Sequence, residues 1–131
     1  MIVVAGREIY SIILMSYERH RNQFANMLDP RFYTIDWLDY QIATGEIQVL
    51  SSATAAILYE FKTYPTGWRE LNGMAAAGEL TSIISELIPA AEEIAKAMGC
   101  GSAQIESRAG WGKKLKPSGY KPFQYGIIKF L

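Results

Sequence analysis

Apolar residues recur at helical spacing over the start of the chain, at Ile9, Ile13, Tyr17, Phe24 and Met27, with Ile12 and Leu14 beside them. Glu18, Arg19, Arg21 and Asn22 supply a polar side, so the pattern predicts a helix over Glu8 to Met27. Asp29-Pro30 breaks it, because a proline pushes the residue before it out of helical geometry. Thr34 is placed to cap a second helix, Ile35 to Ala43, which Gly45 ends. From Glu46 the texture turns to strand. Glu46 to Leu50, Ala55 to Phe61 and Trp68 to Met74 read as three strands, joined at Ser51-Ser52 and at Tyr64-Pro65-Thr66-Gly67. Such short connections predict an antiparallel meander.

Gly78 precedes the clearest helix, with Leu80, Ile83, Ile84, Leu87, Ile94 and Met98 as its apolar stripe and Glu86, Glu92, Glu93 and Lys96 opposite. Pro89 lies inside it, which predicts either a kink or two abutting helices with the proline in a first turn. Gly99 and Gly101 stop the pattern. Ser102 to Ser107 then reads as a strand, Trp111 to Lys116 as a short helix closed by Pro117-Ser118-Gly119, and Tyr125 to Phe130 as a final strand. Neither a repeat nor a long linker divides this order, so one domain over residues 1–131 is expected. The strand–helix–strand unit from Met74 to Glu106 is expected to be a parallel crossover.

Composition narrows the picture only slightly. Half the residues are hydrophobic and 20% are charged, an ordinary globular balance. Thirteen basic residues offset thirteen acidic ones, so no general attraction to nucleic acid or to a membrane is expected. The one cysteine, Cys100, rules out an internal disulfide and suits a reducing compartment. The opening MIVVAGREIYSIILM is broken by Arg7 and Glu8 and reads as neither a signal peptide nor a membrane span. A cytoplasmic location, or one within a virus particle, is expected.

Two stretches carry a family resemblance. Ala91 to Cys100 is similar to the end of the central helix of the GNAT acetyltransferase superfamily, and Arg108 to Tyr120 to its next helix, which commonly ends in a Gly-aromatic pair, here Gly119-Tyr120. The element order also resembles that superfamily, and the C-terminal motifs look most like those of small GNAT-like proteins of tailed phages and prophages. The resemblance implies an α+β fold, with a mixed, mostly antiparallel sheet and helices on both faces. It implies acetyl-coenzyme A as cofactor, no metal, and a V-shaped gap between the third and fourth strands for the pantetheine arm. The implied cofactor positions are Met74, Ala75, Ala76, Ala77 and Gly78, at the start of a helix whose N–H groups would hold the pyrophosphate. The catalytic candidates are the strand carboxylates Glu70 and Glu106, with Glu60 less well placed.

Two positions depart from the family pattern. Glu79 brings negative charge to the expected pyrophosphate position, and Leu115 stands four residues before Gly119, where many relatives carry a proton-donating tyrosine. Together they predict a domain that kept the fold and lost the chemistry. It would be a virion-associated or protein-interaction component whose partners are proteins, phage structural proteins among them, rather than nucleic acid or membrane. An active acetyl-coenzyme A-dependent N-acetyltransferase is one alternative, and a small inhibitor or adaptor is another.

The remaining features read more plainly. Gly73 to Gly78 has the glycine spacing of a phosphate loop, but Glu79-Leu80 stand where lysine and Ser/Thr must follow, which argues against a nucleotide triphosphatase. His20 lies between Arg19 and Arg21 with no second ligand near it in sequence, and Cys100 has no basic neighbour to activate it. Arg108, Lys113, Lys114, Lys116 and Lys121 form a basic cluster around Trp111 and Tyr120, expected as a solvated face, with phosphate or an acidic partner as the alternative.

Overall fold

The computed structural model describes residues 16–107 and 110–131. Helix α1 occupies residues 16–27; its expected first turns lie outside the described residues, as does Arg108. Helix α2 is Ile35–Ala43, begun as expected by Thr34, whose Oγ1 accepts the Trp37 N–H at 3.1 Å. One carboxylate fastens the two helices. Asp39 accepts two bonds from Arg21, at 3.0 and 2.7 Å, and one from the Tyr17 hydroxyl at 2.6 Å. Arg21 holds the Asp39 carboxyl below the usual carboxylate range, while burial first, and then the bond to Asp39, pushes the Tyr17 phenol up.

Strands β1 (Gln48–Ser51), β2 (Ala55–Thr63) and β3 (Arg69–Gly78) form the expected antiparallel meander, and β4 (Ser102–Ile105) adds in parallel to β3. Side chains alternate between the two faces. Ile57, Tyr59 and Leu71 pack with Ile83, Leu87 and Ile88, whereas Val49, Leu58 and Ala77 pack with Tyr17, Phe24 and Leu38. The result is the expected α+β architecture, a mixed and mostly antiparallel sheet between two helical layers.

Three expectations change. Strand β3 runs on past Met74 to Gly78, because Ala55 to Leu58 of β2 pair with Ala75 to Gly78. Met74 to Gly78 are therefore strand and not loop. The following helix is continuous but not uniform: α3 (Leu80–Ser82), a π turn (Ile83–Leu87) and α4 (Ile88–Ala97). Pro89, in the first turn of α4, has no N–H to donate, and in a regular helix its ring would crowd the carbonyl four residues back. The wider turn just before it, where the Ile88 N–H reaches back to the Ile83 carbonyl, accommodates that ring. Helix α5 (Gly110–Leu115) and a 3₁₀ turn (Lys116–Ser118) follow as expected, but no strand forms over Tyr125 to Phe130.

Candidate functional site

Strands β3 and β4 pair only from Glu70, opposite Ser102, to Gly73, opposite Ile105. The Glu106 N–H then bonds the Gly73 carbonyl at 3.1 Å, and the ladder stops. Past that point β3 has β2 on one side and no described strand on the other. A bulge sits at the same place. Leu58 faces Ala75 while Tyr59 faces Gly73, so Met74 is the extra residue. The strands part there and open a cleft of ≈ 610 Å³, a volume typical of small-molecule sites. Ile83, Ile88, Ile105 and Trp111 give it apolar walls, and Glu106 and Ser107 lie at its polar end. In a regular helix, residues five apart point about 140° away from each other. The π turn adds the residue that brings both Ile83 and Ile88 to the cleft.

Of the five cofactor positions inferred from the sequence, Met74, Ala75 and Ala76 line the cleft. Ala77 is buried against the α1–α2 layer. Gly78 has a structural reason to be glycine: its φ is +98°, and a Cβ would stand 2.2 Å from the Thr54 carbonyl oxygen. Glu79 is exposed, where water and salt screen its charge.

The two catalytic candidates are placed very differently. Glu70 is buried, and both its oxygens are occupied, by the Tyr64 hydroxyl at 3.0 Å and the Ser102 hydroxyl at 3.2 Å. The Trp68 indole N–H donates in turn to Ser102 at 2.9 Å. The bond to Glu70 raises the Tyr64 pKa. Glu70 is three residues before Gly73, about 10 Å back along the strand, and is not among the residues lining the cleft.

Glu106 does line it. Its Oε1 accepts from Asn72 Nδ2 at 3.2 Å, and the same nitrogen donates to Glu60 Oε1 at 3.2 Å. Lys62 Nζ lies 3.9 Å from Glu60 and 3.8 Å from Glu106. Asn72 is 1% exposed, and its Oδ1 is buried with no hydrogen-bond partner. The reversed amide would point that oxygen at two carboxylates, so charge dictates the orientation. The positive charge beside these two carboxylates is Lys62, and Asn72 ties them together from the buried side. Asn72 escaped the sequence reading, although a polar residue between Leu71 and Gly73 in a strand pattern was the signal for it.

Neither Leu115 nor the neighbouring Tyr120 has a proton to give at the cleft. Leu115 is buried in the core. The Tyr120 hydroxyl donates to Glu92 at 2.8 Å, and burial followed by that bond pushes its pKa far up. His20 lies within 2.9 Å of the Gln23 side chain on the surface of α1. Lys113, Lys114, Lys116 and Lys121 are exposed. Among the described residues no group of His, Cys, Asp and Glu could hold a metal ion, and no helix is long and apolar enough to cross a membrane.

No protein-family model and no curated protein sequence matches the chain. Solved structures do match. An acetyltransferase of Trypanosoma brucei superposes with a TM-score of 0.66 at 9% identity, over 89% of this chain and 94% of its own. A predicted acetyltransferase of Clostridium acetobutylicum, solved with acetyl-CoA, gives 0.62 at 12% identity over 92% and 91%. This chain has the GNAT fold. A ribosomal-protein-alanine N-acetyltransferase of Brucella melitensis shares it too, at a TM-score of 0.57 and 14% identity over 86% and 94%. At such identities it is the GNAT fold that is shared, and nothing finer.

Proposed function

We propose that the protein is an acetyl-coenzyme A-dependent N-acetyltransferase with an amine as acceptor. The observation that carries this reading is the gap between β3 and β4, which is a cleft rather than a contact filled by side chains. A GNAT-fold neighbour solved with acetyl-CoA adds support. Acetyl-CoA supplies an acetyl group activated as a thioester. This chain's part is to hold the arm along the free edge of β3 at Met74 to Ala76, much as a peptide adds to a sheet edge. Ile83, Ile88 and Ile105 exclude water from it. Glu106, at the polar end of the cleft, takes the proton of the acceptor ammonium, and the Asn72 amide bonded to its Oε1 holds that carboxylate in place.

Calorimetric titration with acetyl-CoA tests the first half, with micromolar affinity expected. Glu106→Gln is then expected to lower the rate of amine acetylation by about 10²–10⁴ while leaving acetyl-CoA affinity unchanged. No heat at millimolar acetyl-CoA overturns the reading.

A second reading is favoured by Leu115. With that residue in the core and Tyr120 committed to Glu92, no tyrosine among the described residues lines the cleft to protonate a leaving thiolate. The protein is then a non-catalytic GNAT-like component that associates with other proteins, of phage or prophage type and at home in a virus particle. Micromolar acetyl-CoA binding without acetylation of any amine in a broad panel would favour it.

A further inference from the structure

The balance of thirteen basic and thirteen acidic residues hides a division along the chain. All thirteen acids, with seven of the bases, lie in residues 1–106. Residues 107–131 hold Arg108, Lys113, Lys114, Lys116, Lys121 and Lys129 and no acid at all. A chain that is neutral in sum can therefore present a strongly cationic surface to an anionic partner. The five lysines are exposed, and among the described residues none of them forms an ion pair. The acids that come near the ends of this stretch are already engaged, Glu92 by the Tyr120 hydroxyl and Asp29 by Arg31.

Between Lys121 and Lys129 lies an apolar strip that no described residue covers. Phe123 is 74% exposed, Tyr125 and Ile127 are each 92% exposed, and Ile128 is 70% exposed. The strip forms neither helix nor strand. It is nevertheless held at both ends, by Tyr120 on Glu92 of α4 and by the Phe130 ring, which stacks on Phe32 at 6.4 Å with the Arg31 guanidinium 4.3 Å from its centre. Between these anchors it stands off β4 as a ridge, over a hollow of ≈ 530 Å³ lined by Gln104 and by Phe123 to Gly126.

We propose that this ridge docks the protein on the surface of an anionic lipid bilayer, with Phe123, Tyr125, Ile127 and Ile128 entering the interface and the lysines meeting the headgroups. A bilayer offers negative charge and hydrocarbon at successive depths, and the ridge offers their complements side by side. Lysine stems are long enough to keep their ammonium groups at headgroup level while the apolar side chains go deeper. The backbone of the strip has no ladder to satisfy its N–H and C=O groups, so it stays in the hydrated interfacial layer and does not enter the hydrocarbon. Nucleic acid would use the same positive charge, but its bases stack on aromatic faces, which Ile127 and Ile128 do not have. The inference does not depend on acetyl transfer.

The test is sedimentation of the whole chain with vesicles of phosphatidylcholine containing about 30% phosphatidylserine, and with vesicles of phosphatidylcholine alone. At about 0.1 M salt the anionic vesicles are expected to bind at least about tenfold more tightly, and about 1 M salt to release most of the protein. The triple variant Tyr125→Ser, Ile127→Ser, Ile128→Ser is expected to keep a native far-ultraviolet spectrum, because all three side chains are solvated in the free protein, and to bind anionic vesicles about tenfold or more weakly. In a Cys100→Ser background, an environment-sensitive fluorophore attached at Ile127→Cys is expected to shift to the blue on anionic vesicles. No sedimentation with either vesicle, equal binding to both, or a triple variant that binds like the parent would each overturn the proposal. So would tighter binding to a single-stranded oligonucleotide than to the vesicles, or a fluorophore that stays in water on them.

Discussion

At Gly78 the backbone φ is +98°, and the Thr54 carbonyl occupies the space a Cβ would need. Gly78→Ala must therefore strain its own backbone and push away the β1–β2 turn. The expected loss is about 2–4 kcal/mol, read as a fall in the midpoint of thermal unfolding. Asp39 gives a second residue-scale prediction. Asp39→Asn removes the negative charge that Arg21 and Tyr17 both bond, and is expected to cost about 1–2 kcal/mol, with solvent exposure of the pair keeping the loss at the low end. The folded pKa of Asp39 is depressed, so its stabilisation is complete above the ordinary carboxylate value of about 3.9 and is lost as pH falls through the depressed value. Melting curves of the parent and the variant should differ at pH 7 and converge in acid; a constant offset across that range would show that the charge is not what matters. At this scale the sequence was only partly legible. Thr34 could be read as a cap because capping is local, whereas Glu70 and Glu106 look alike in sequence and are separated by what surrounds them.

At the scale of elements, the central helix shows how one residue reshapes its neighbours. Pro89 was visible as a fault in the helical pattern, and the answer to it is the π turn over Ile83–Leu87. That turn behaves as a one-residue insertion, so removing the exposed Ser85 should restore regular α-helical winding and drive the Pro89 ring against the preceding turn. Deleting Ser85 alone is expected to cost roughly 3 kcal/mol, and much of that loss is expected to return when Pro89→Ala is combined with it. If the two changes are simply additive in urea unfolding, the π turn does not serve the proline. The extension of β3 over Ala75 to Gly78 was not legible. An alanine run has little strand preference of its own, and pairing with Ala55 to Leu58 supplies what propensity lacks. The segment Tyr125 to Phe130 errs the other way. It has a strand's alternation but pairs with no strand among the described residues.

For the whole molecule, the sheet is the shared wall of two cores. Leu58 faces one and is 2% exposed, and Leu87 faces the other and is 3% exposed. Leu58→Ala and Leu87→Ala are each expected to cost about 2–5 kcal/mol and to lower one common unfolding transition. Splitting into two transitions by calorimetry, in either variant, would show that the layers unfold separately.

Periodicity alone determined that two helices come first, that three strands follow as a meander, and that a long helix leads to a fourth strand. Those patterns are local, repeated over many residues, and tied to which side chains must leave water. Tertiary structure alone decided where β3 and β4 part, which carboxylate reaches the cleft, and that Asn72 would be buried between Glu60 and Glu106. Each depends on residues from separate strands, up to 46 positions apart between Glu60 and Glu106, meeting at a distance of a few ångströms. The free edge of β4 and the uncovered strip from Phe123 to Ile128 belong to the same class. A sequence can show that a segment is suited to be a strand, but only the folded arrangement shows whether a partner edge lies within its reach.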